Sequence, residues 1–190
     1  MSRLTEPLGP QDHVLGRPGA PAQIVEYGDY ECPFCARAHH EMAEVLRCAG
    51  KDVCYAFRHF PLAQVHPHAL LAAQAAEAAG AQGRFWMMHS MLFENPDALS
   101  PGDLMVYAET LGLDVRRFAR ELRNGAHLPK VESDFRTGVR SGVNGTPTFF
   151  VDGVRHDRGW HADSLTTAVR EAAERSAAVL SPPYPSSLHR

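Results

Sequence analysis

The chain has 190 residues, of which 44% are hydrophobic and 22% are charged, and its net charge is −3 with the histidines neutral. This length and composition are typical of a soluble globular protein with a sizeable core. A nucleic-acid partner usually requires a basic patch, and a membrane span requires about 18 apolar residues in succession. Neither feature is present in the sequence, so we expect neither kind of partner.

Residues 1–20 are rich in Gly and Pro and predict an irregular N-terminal arm. The first sixteen residues lack the cationic and then apolar pattern of a secretory signal. With Met1 as the natural start, this predicts a cytoplasmic protein; the alternative is a periplasmic protein trimmed of its signal. Cytoplasmic thiols are kept reduced, so a close cysteine pair there indicates catalysis or metal binding rather than a structural disulfide.

The next forty residues predict a strand, a helix and a second strand. Residues 22–27, AQIVEY, are β-branched and aromatic and predict a short buried strand. From Cys32 the apolar residues recur at helical spacing as far as Ala49, and Gly50 ends the helix. Residues 53–60, VCYAFRHF, predict the second strand. The connection is long enough for the two strands to be parallel.

The middle of the chain predicts helices. An Ala-rich stretch is broken at Gly80 and Gly83, a second helix begins with Ser100 as its N-cap, and two further helices follow before residue 141. This block therefore separates the first two strands from the rest of the sheet.

The C-terminal part returns to strand. The sequence TPTFFVDGVRH predicts two short strands around an Asp152–Gly153 turn, and residues 162–179 predict a last helix. Residues 180–190 are rich in Pro and Ser and predict a disordered tail. The order of elements is that of an α/β core with a helical insertion.

Cys32 and Cys35 form a Cys-Pro-Phe-Cys motif at the predicted start of the first helix. Unpaired backbone N–H groups and the helix dipole at this position favour thiolate over thiol. A separation of three residues places both sulfurs on one helix face, within bridging distance. The motif predicts thiol-disulfide exchange, with attack by Cys32 and resolution by Cys35.

The segments VEYGDYECPFC, FRHFPL and GTPTFFVDG resemble the DsbA family of thiol-disulfide oxidoreductases, over residues 12–179. The resemblance implies a thioredoxin fold with a helical insertion between the second strand and a β-hairpin that begins at a cis-proline. It implies a core formed by residues 21–62 and 140–179 and an inserted subdomain over residues 63–139. It also implies a cofactor-free enzyme that exchanges disulfides with cysteine-containing proteins.

The same resemblance implies roles for individual residues. Cys32 is the expected nucleophile and Cys35 the resolving cysteine, and Pro147 is the expected cis-proline, preceded by Thr146. Glu26 lies where the family has an acidic residue; burial would raise its pKa and let it deprotonate Cys35, and the alternative is a solvated side chain at a strand edge.

We expect the substrate to contact Pro33, Phe34, Thr146 and Pro147. Strongly oxidising members of the family have Pro-His between the cysteines. With Pro33–Phe34 in that place, we expect a weaker oxidant.

Two other interpretations of Cys32 and Cys35 remain open: they are ligands of a metal ion, or they are two small hydrophobic residues packed in the core. Cys32, Cys35 and His39 share a helix face and are a candidate zinc set, although no fourth ligand is evident. The chain could then be a non-enzymatic cytoplasmic module that senses metal or redox state. The GTPTF sequence favours the enzyme, because a sensor does not need a platform for substrate.

Cys48 and Cys54 depart from the family pattern. They are a candidate second redox pair across the turn that follows the first helix, or two small buried hydrophobic residues. Arg58 or His59 is a candidate to face the buried acid. We expect a monomer, recharged by a redox partner that the sequence does not identify.

Overall fold

The computed structural model describes residues 2–180 of the chain. Within them, a five-stranded sheet has the strand order β1-β3-β2-β4-β5. β2 and β3 are parallel and the other neighbours are antiparallel. The strands are β1 (His13–Gly16), β2 (Ala22–Gly28), β3 (Val53–His59), β4 (Thr148–Val151) and β5 (Val154–His156).

The central strands follow the predicted order. β2 and β3 are buried along nearly their whole length, as their β-branched and aromatic residues favour. Helix α1 (Pro33–Ala49) connects them as a parallel crossover and ends at Gly50, whose φ is +54°. β4 and β5 turn at Asp152 and Gly153, which both have positive φ, as the Asp-Gly signal predicts.

The prediction of a wholly irregular N-terminal arm was wrong. His13–Gly16 forms the edge strand β1, paired antiparallel with β3. Four residues between Gly-rich and Pro-rich stretches carry little strand signal of their own. They become a strand because β3 offers a free row of backbone donors and acceptors.

The helical block lies between β3 and β4, as predicted. Ser100 and Asp103 form a reciprocal capping box at the start of one of its helices. Asp114 caps the next helix by accepting from the backbone N–H of Arg117 at 2.9 Å. The block comprises α2 (Ala69–Gly80), α3 (Phe85–Glu94), α4 (Pro101–Thr110), α5 (Val115–Arg123) and α6 (Leu128–Arg140).

Helices cover both faces of the sheet. Alternating side chains of β2 and β3, such as Ile24 and Tyr55, belong to the main core with α1 and the last helix, α7 (Ala162–Leu180). The intervening residues Val25 and Tyr27 face the other way and pack with Phe135 of α6. Glu26 therefore points towards α1, because it has the same parity as Ile24.

The predicted disordered tail lies outside the described residues except for Leu180, which ends α7. Among residues 2–180, no helix combines the length and the apolar character that crossing a membrane requires.

Candidate active site

The two cysteines occupy the start of α1. Cys32 is the N-cap, with extended backbone angles, and Pro33 is the first helical residue, where its missing N–H costs no hydrogen bond. Cys32 has 4% of its surface exposed and Cys35 has none. The structure thus gives the outer position to the predicted nucleophile and the inner one to the predicted resolving cysteine.

The loop between β2 and α1 is held by a buried carboxylate, Asp29. Its Oδ1 accepts from the backbone N–H of Glu31 at 2.9 Å, and its Oδ2 accepts from that of Leu62 at 2.8 Å. His66 Nδ1 also lies 2.8 Å from Oδ2. Asp29 therefore joins the approach to the cysteine pair to the segment that follows β3.

The surroundings of Cys32 favour its thiolate. A hydrogen bond from the Cys35 thiol is the main reason why the pKa of Cys32 is lowered to about 5, and bonds from the backbone N–H groups of Cys35 and Phe34 contribute as well. When protonated, the Cys32 thiol lies 3.5 Å from the carbonyl oxygen of Thr146. Cys32 is therefore mostly ionised at neutral pH.

The pKa of Cys35 is shifted in the opposite direction. Burial raises its pKa well above the ordinary thiol value, and its hydrogen bond to Cys32 and the nearby charge of Glu26 raise it further. One thiol of the pair is thus a ready nucleophile and leaving group. The other holds its proton until a base removes it.

Glu26 is a buried acid beside this pair, with 1% of its surface exposed. Burial raises its pKa to about 8, although a hydrogen bond from Tyr55 partly opposes the shift. The Tyr55 hydroxyl donates to Oε2 at 2.7 Å, while Oε1 has no hydrogen-bond partner among the described residues. A carboxyl group with this pKa can take up and release a proton near neutral pH.

The segment that faces Cys32 comes from the loop before β4. The peptide bond between Thr146 and Pro147 is cis, and the Thr146 carbonyl lies against the Cys32 sulfur. Pro33 and Phe34, between the two cysteines in the chain, are both exposed, with 51% of the Phe34 surface open. All four residues expected to contact substrate therefore lie beside the cysteine pair.

The structure does not bring Cys48 and Cys54 together. Both thiols are free. Cys48 is exposed on α1 and hydrogen-bonds to Glu44, whereas Cys54 is buried and belongs to the sheet face opposite α1, since it alternates with Tyr55. Strand alternation therefore separates a pair that the short turn between the elements had suggested.

Neither Arg58 nor His59 approaches Glu26. Arg58 binds Asp12, with Nε 2.8 Å from Oδ1, and His59 Nε2 lies 2.8 Å from Glu77. Tyr55 donates its hydroxyl to the acid instead, because the register of β2 and β3 places Tyr55 beside Glu26 on the same sheet face. The sequence carries no signal for the contact of Tyr55, which there is only an aromatic residue of a buried strand. It carries no signal for the role of Asp29 in the loop either.

The candidate zinc set does not assemble either. The His39 ring packs on His89 and Phe93, at centroid distances of 5.2 and 5.3 Å. Within residues 2–180, the group with the spacing of metal ligands is instead His59, Glu77 and Asp134. In this group, Lys130 Nζ lies 2.7 Å from both Asp134 oxygens and supplies a positive charge beside that carboxylate.

Comparison with known proteins agrees with the fold. A family model described as Thioredoxin matches residues 9–171. The oxidised form of BdbD from Bacillus subtilis superimposes with a TM-score of 0.81 at 23% identity, covering 91% of this chain and 98% of that one. A thioredoxin-like oxidoreductase from Silicibacter pomeroyi gives a TM-score of 0.75 at 27% identity, covering 87% and 94%.

A relative with higher sequence identity has a different name. It is Na(+)/H(+) antiporter NhaA 1 of Salinispora arenicola, 44% identical over 170 residues, which cover 89% of this chain and 26% of that protein. This chain spans about a quarter of the length of the curated relatives it matches. The family model, the order of the elements and the inserted helices agree: the chain belongs to the thioredoxin family and has the DsbA-like form of its fold.

Proposed function

We propose that the protein is a thiol-disulfide oxidoreductase that exchanges disulfides with cysteine-containing proteins through Cys32 and Cys35. The observation that carries the proposal is that the site shifts the pKa values of its two thiols in opposite directions. Cys32 has a pKa lowered to about 5, while burial raises that of Cys35. Two inert structural cysteines would not need this difference.

In the reducing direction, the Cys32 thiolate attacks one sulfur of a substrate disulfide and releases the other as a thiolate. Cys35 then loses its proton to ionised Glu26 and attacks the Cys32 sulfur of the mixed disulfide. This frees the second substrate thiol and leaves a Cys32–Cys35 disulfide. Two electrons pass from the pair to the substrate, and oxidation of a substrate is the same sequence reversed.

The segment at Thr146 and Pro147 supports a substrate site. An extended chain segment lying across it would bring its sulfur to Cys32, with backbone hydrogen bonds of the kind formed when a strand is added to a sheet edge. Pro33 and Phe34 add exposed apolar surface between the two cysteines. The proposal needs no cofactor.

The decisive experiment compares two serine variants. Cys32→Ser is expected to abolish exchange, because the nucleophilic thiolate is lost. Cys35→Ser is expected to accumulate mixed disulfides with substrate, detectable by mass spectrometry, because nothing resolves them. Cys54→Ser is the matched control, since Cys54 is a buried thiol on the opposite sheet face. Full turnover by Cys32→Ser would contradict the assigned roles.

The direction of the reaction is a separate question, answered by the reduction potential of the pair in a glutathione titration. With Pro33–Phe34 between the cysteines, we expect a value more reducing than the roughly −120 mV of DsbA. A value near about −270 mV, the thioredoxin range, would fit a reductase or isomerase in the cytoplasm. The cytoplasmic location, the monomeric state and the separate redox partner remain predictions.

A second candidate is favoured by the antiporter relative. A segment 44% identical to this chain forms part of a protein named for Na⁺/H⁺ exchange, so the domain could report redox state to a transporter without turnover. Binding of reduced and oxidised protein to such an antiporter, measured side by side, would test it. Sustained turnover on unrelated disulfide substrates would contradict the non-enzymatic form of this candidate.

A further inference from the structure

Three side chains form a strip on the surface beside the cysteine pair: Phe34, Arg37 and Trp160. Phe34 and Arg37 lie one turn apart on the same side of α1. The guanidinium carbon of Arg37 is 4.9 Å from the centre of the Phe34 ring and 5.4 Å from that of Trp160. The cation is thus placed against two aromatic rings.

The charge of Arg37 has no partner within the described part of the chain. Residues 2–180 place no carboxylate oxygen within 4.0 Å of its guanidinium group, whereas the exposed Arg47 and Arg158 pair with Glu44 and Glu171. Stacking on aromatic rings occupies the faces of a guanidinium and leaves its edge N–H donors free. Those donors match a carboxylate in a paired, two-bond geometry.

The strip continues into the segment that faces Cys32. A depression of about 170 Å³ has Pro147 and Trp160 among its lining residues. Asp157 is the acidic residue of this lining, and its carboxylate is paired with Arg155 at 2.9 Å. A chain segment that crosses Pro147 towards Cys32 therefore passes Trp160, which lies against the guanidinium group of Arg37.

We infer that Arg37 selects substrate segments with an acidic side chain close to the reactive cysteine, and that Phe34 and Trp160 hold its guanidinium in place for this contact. The inference rests on the proposed thiol-disulfide exchange and adds a class of substrate to it. Arg37 is a specificity-determining residue in this scheme, because it contacts substrate but exchanges no electrons.

The test uses pairs of disulfide-bonded peptides that differ by glutamate or glutamine next to a cysteine, on either side. Reduced protein is mixed with each peptide, and formation of the Cys32–Cys35 disulfide is followed. At low ionic strength we expect the glutamate peptide of at least one pair to react about threefold faster, the size typical of an exposed ion pair. High salt should remove the advantage.

Variants separate the local contact from the net charge. Arg37→Gln should abolish the preference and Arg37→Glu should reverse it. Arg47→Gln removes the same charge at the far end of α1 and should keep the preference. Equal rates for both peptides of every pair with the wild-type protein, or a preference that survives in Arg37→Gln, would overturn the inference. The glutamine peptides report the proposed function by themselves; if neither kind of peptide reacts, exchange itself is contradicted, and the inference falls with it.

Discussion

At the scale of single residues, the site depends on hydrogen bonds to one sulfur. The thiolate of Cys32 is stabilised first by the Cys35 thiol, then by the side chain of Thr146 and by backbone N–H groups at the start of α1. The arrangement needs no cationic side chain at the sulfur.

We expect alkylation of Cys32 in the reduced protein to follow an ionisation with a midpoint near pH 5, because only the thiolate reacts. Cys35→Ala should move the midpoint upward by removing the main donor, and Cys54→Ala should leave it in place. Iodoacetamide labelling with mass spectrometry gives the profile. A midpoint near the ordinary thiol value of about 8.5 would contradict the assigned environment.

The same shift makes the stability of the reduced protein depend on pH. The folded pKa of Cys32 is about 5, well below the ordinary thiol value of about 8.5. The unfolded chain therefore binds more protons between these values, and the free energy of unfolding rises with pH across this window. The contribution is complete above pH 9 and is lost as the pH falls through about 5.

Tyr55 tunes Glu26, and its removal tests that acid. Tyr55→Phe takes away the hydrogen bond that opposes the effect of burial, so the pKa of Glu26 should rise above about 8. Less carboxylate is then present at neutral pH to deprotonate Cys35, and resolution of mixed disulfides should slow about tenfold for each pKa unit. Stopped-flow rates against pH measure the effect.

Tyr107→Phe is the matched control, because its hydroxyl donates to the Ala98 carbonyl within the helical block, at 2.8 Å. It should leave the pH profile of resolution unchanged. An unchanged profile in Tyr55→Phe would instead mean that Glu26 does not serve as the base.

At the scale of elements, close packing of α6 on the sheet depends on a residue without a side chain. A Cβ atom at Gly138 would lie 2.7 Å from the Phe60 ring and 3.0 Å from the Tyr27 ring. Phe60 cannot retreat easily, because it stacks on Phe135 at a centroid distance of 4.4 Å. The helix therefore approaches the sheet as closely as it does because of one glycine.

Gly138→Ala should lower the free energy of unfolding by about 1–3 kcal/mol through overpacking. Gly102→Ala, in α4, is the opposite case, since the nearest atom to its Cβ would be Ser100 Oγ at 3.7 Å. It should raise the free energy of unfolding by up to about 1 kcal/mol, because alanine favours helix over glycine. Urea unfolding of both variants checks the opposite signs, and a loss of equal size in both would rule out the packing explanation.

At the scale of the whole molecule, a buried ion pair fastens the N-terminal arm to the sheet. Arg58 and Asp12 are almost fully buried and are joined by two hydrogen bonds of 2.8 and 2.9 Å. The same guanidinium donates to the carbonyl oxygens of Glu6 and Pro7. One arginine of β3 thereby orders the chain before β1.

Asp12→Asn should cost about 3 kcal/mol or more near neutral pH, because it leaves a buried guanidinium without its counter-charge. Burial alone would raise the pKa of Asp12, but the hydrogen bond and charge of Arg58 lower it overall. The stability that it contributes is therefore present above its usual value of 3.8 and is lost as the pH falls through the lower folded value.

The difference between wild type and Asp12→Asn in urea unfolding should accordingly shrink in acid. Glu6→Gln is the control, because its pair with Arg140 is largely exposed and is worth at most about 1 kcal/mol. A loss in Glu6→Gln as large as that in Asp12→Asn would show that the two pairs are not distinguished by burial.

Local patterns in the sequence were sufficient for the elements that have strong signals of their own. The hydrophobic runs of β2 and β3, the helical spacing after Cys32, the Ser100 cap and the Asp152–Gly153 turn each depend on neighbours a few residues away. The family resemblance then pointed to Cys32, Cys35, Glu26 and Pro147, and the structure places all four around the start of α1.

Contacts between distant segments could not be predicted in this way. β1 exists because β3 has a free edge. Tyr55 meets Glu26 because the register of β2 and β3 puts them side by side on one sheet face, and Cys48 and Cys54 are separated by strand alternation. The sequence gives no sign that Arg37 is more than an ordinary surface charge. The role proposed for it in substrate selection depends on the loop that brings Trp160 beside it. Sequence determined the local conformation and the chemistry of the cysteine motif, whereas tertiary packing decided which distant side chains surround it, because those contacts join residues up to a hundred or more positions apart.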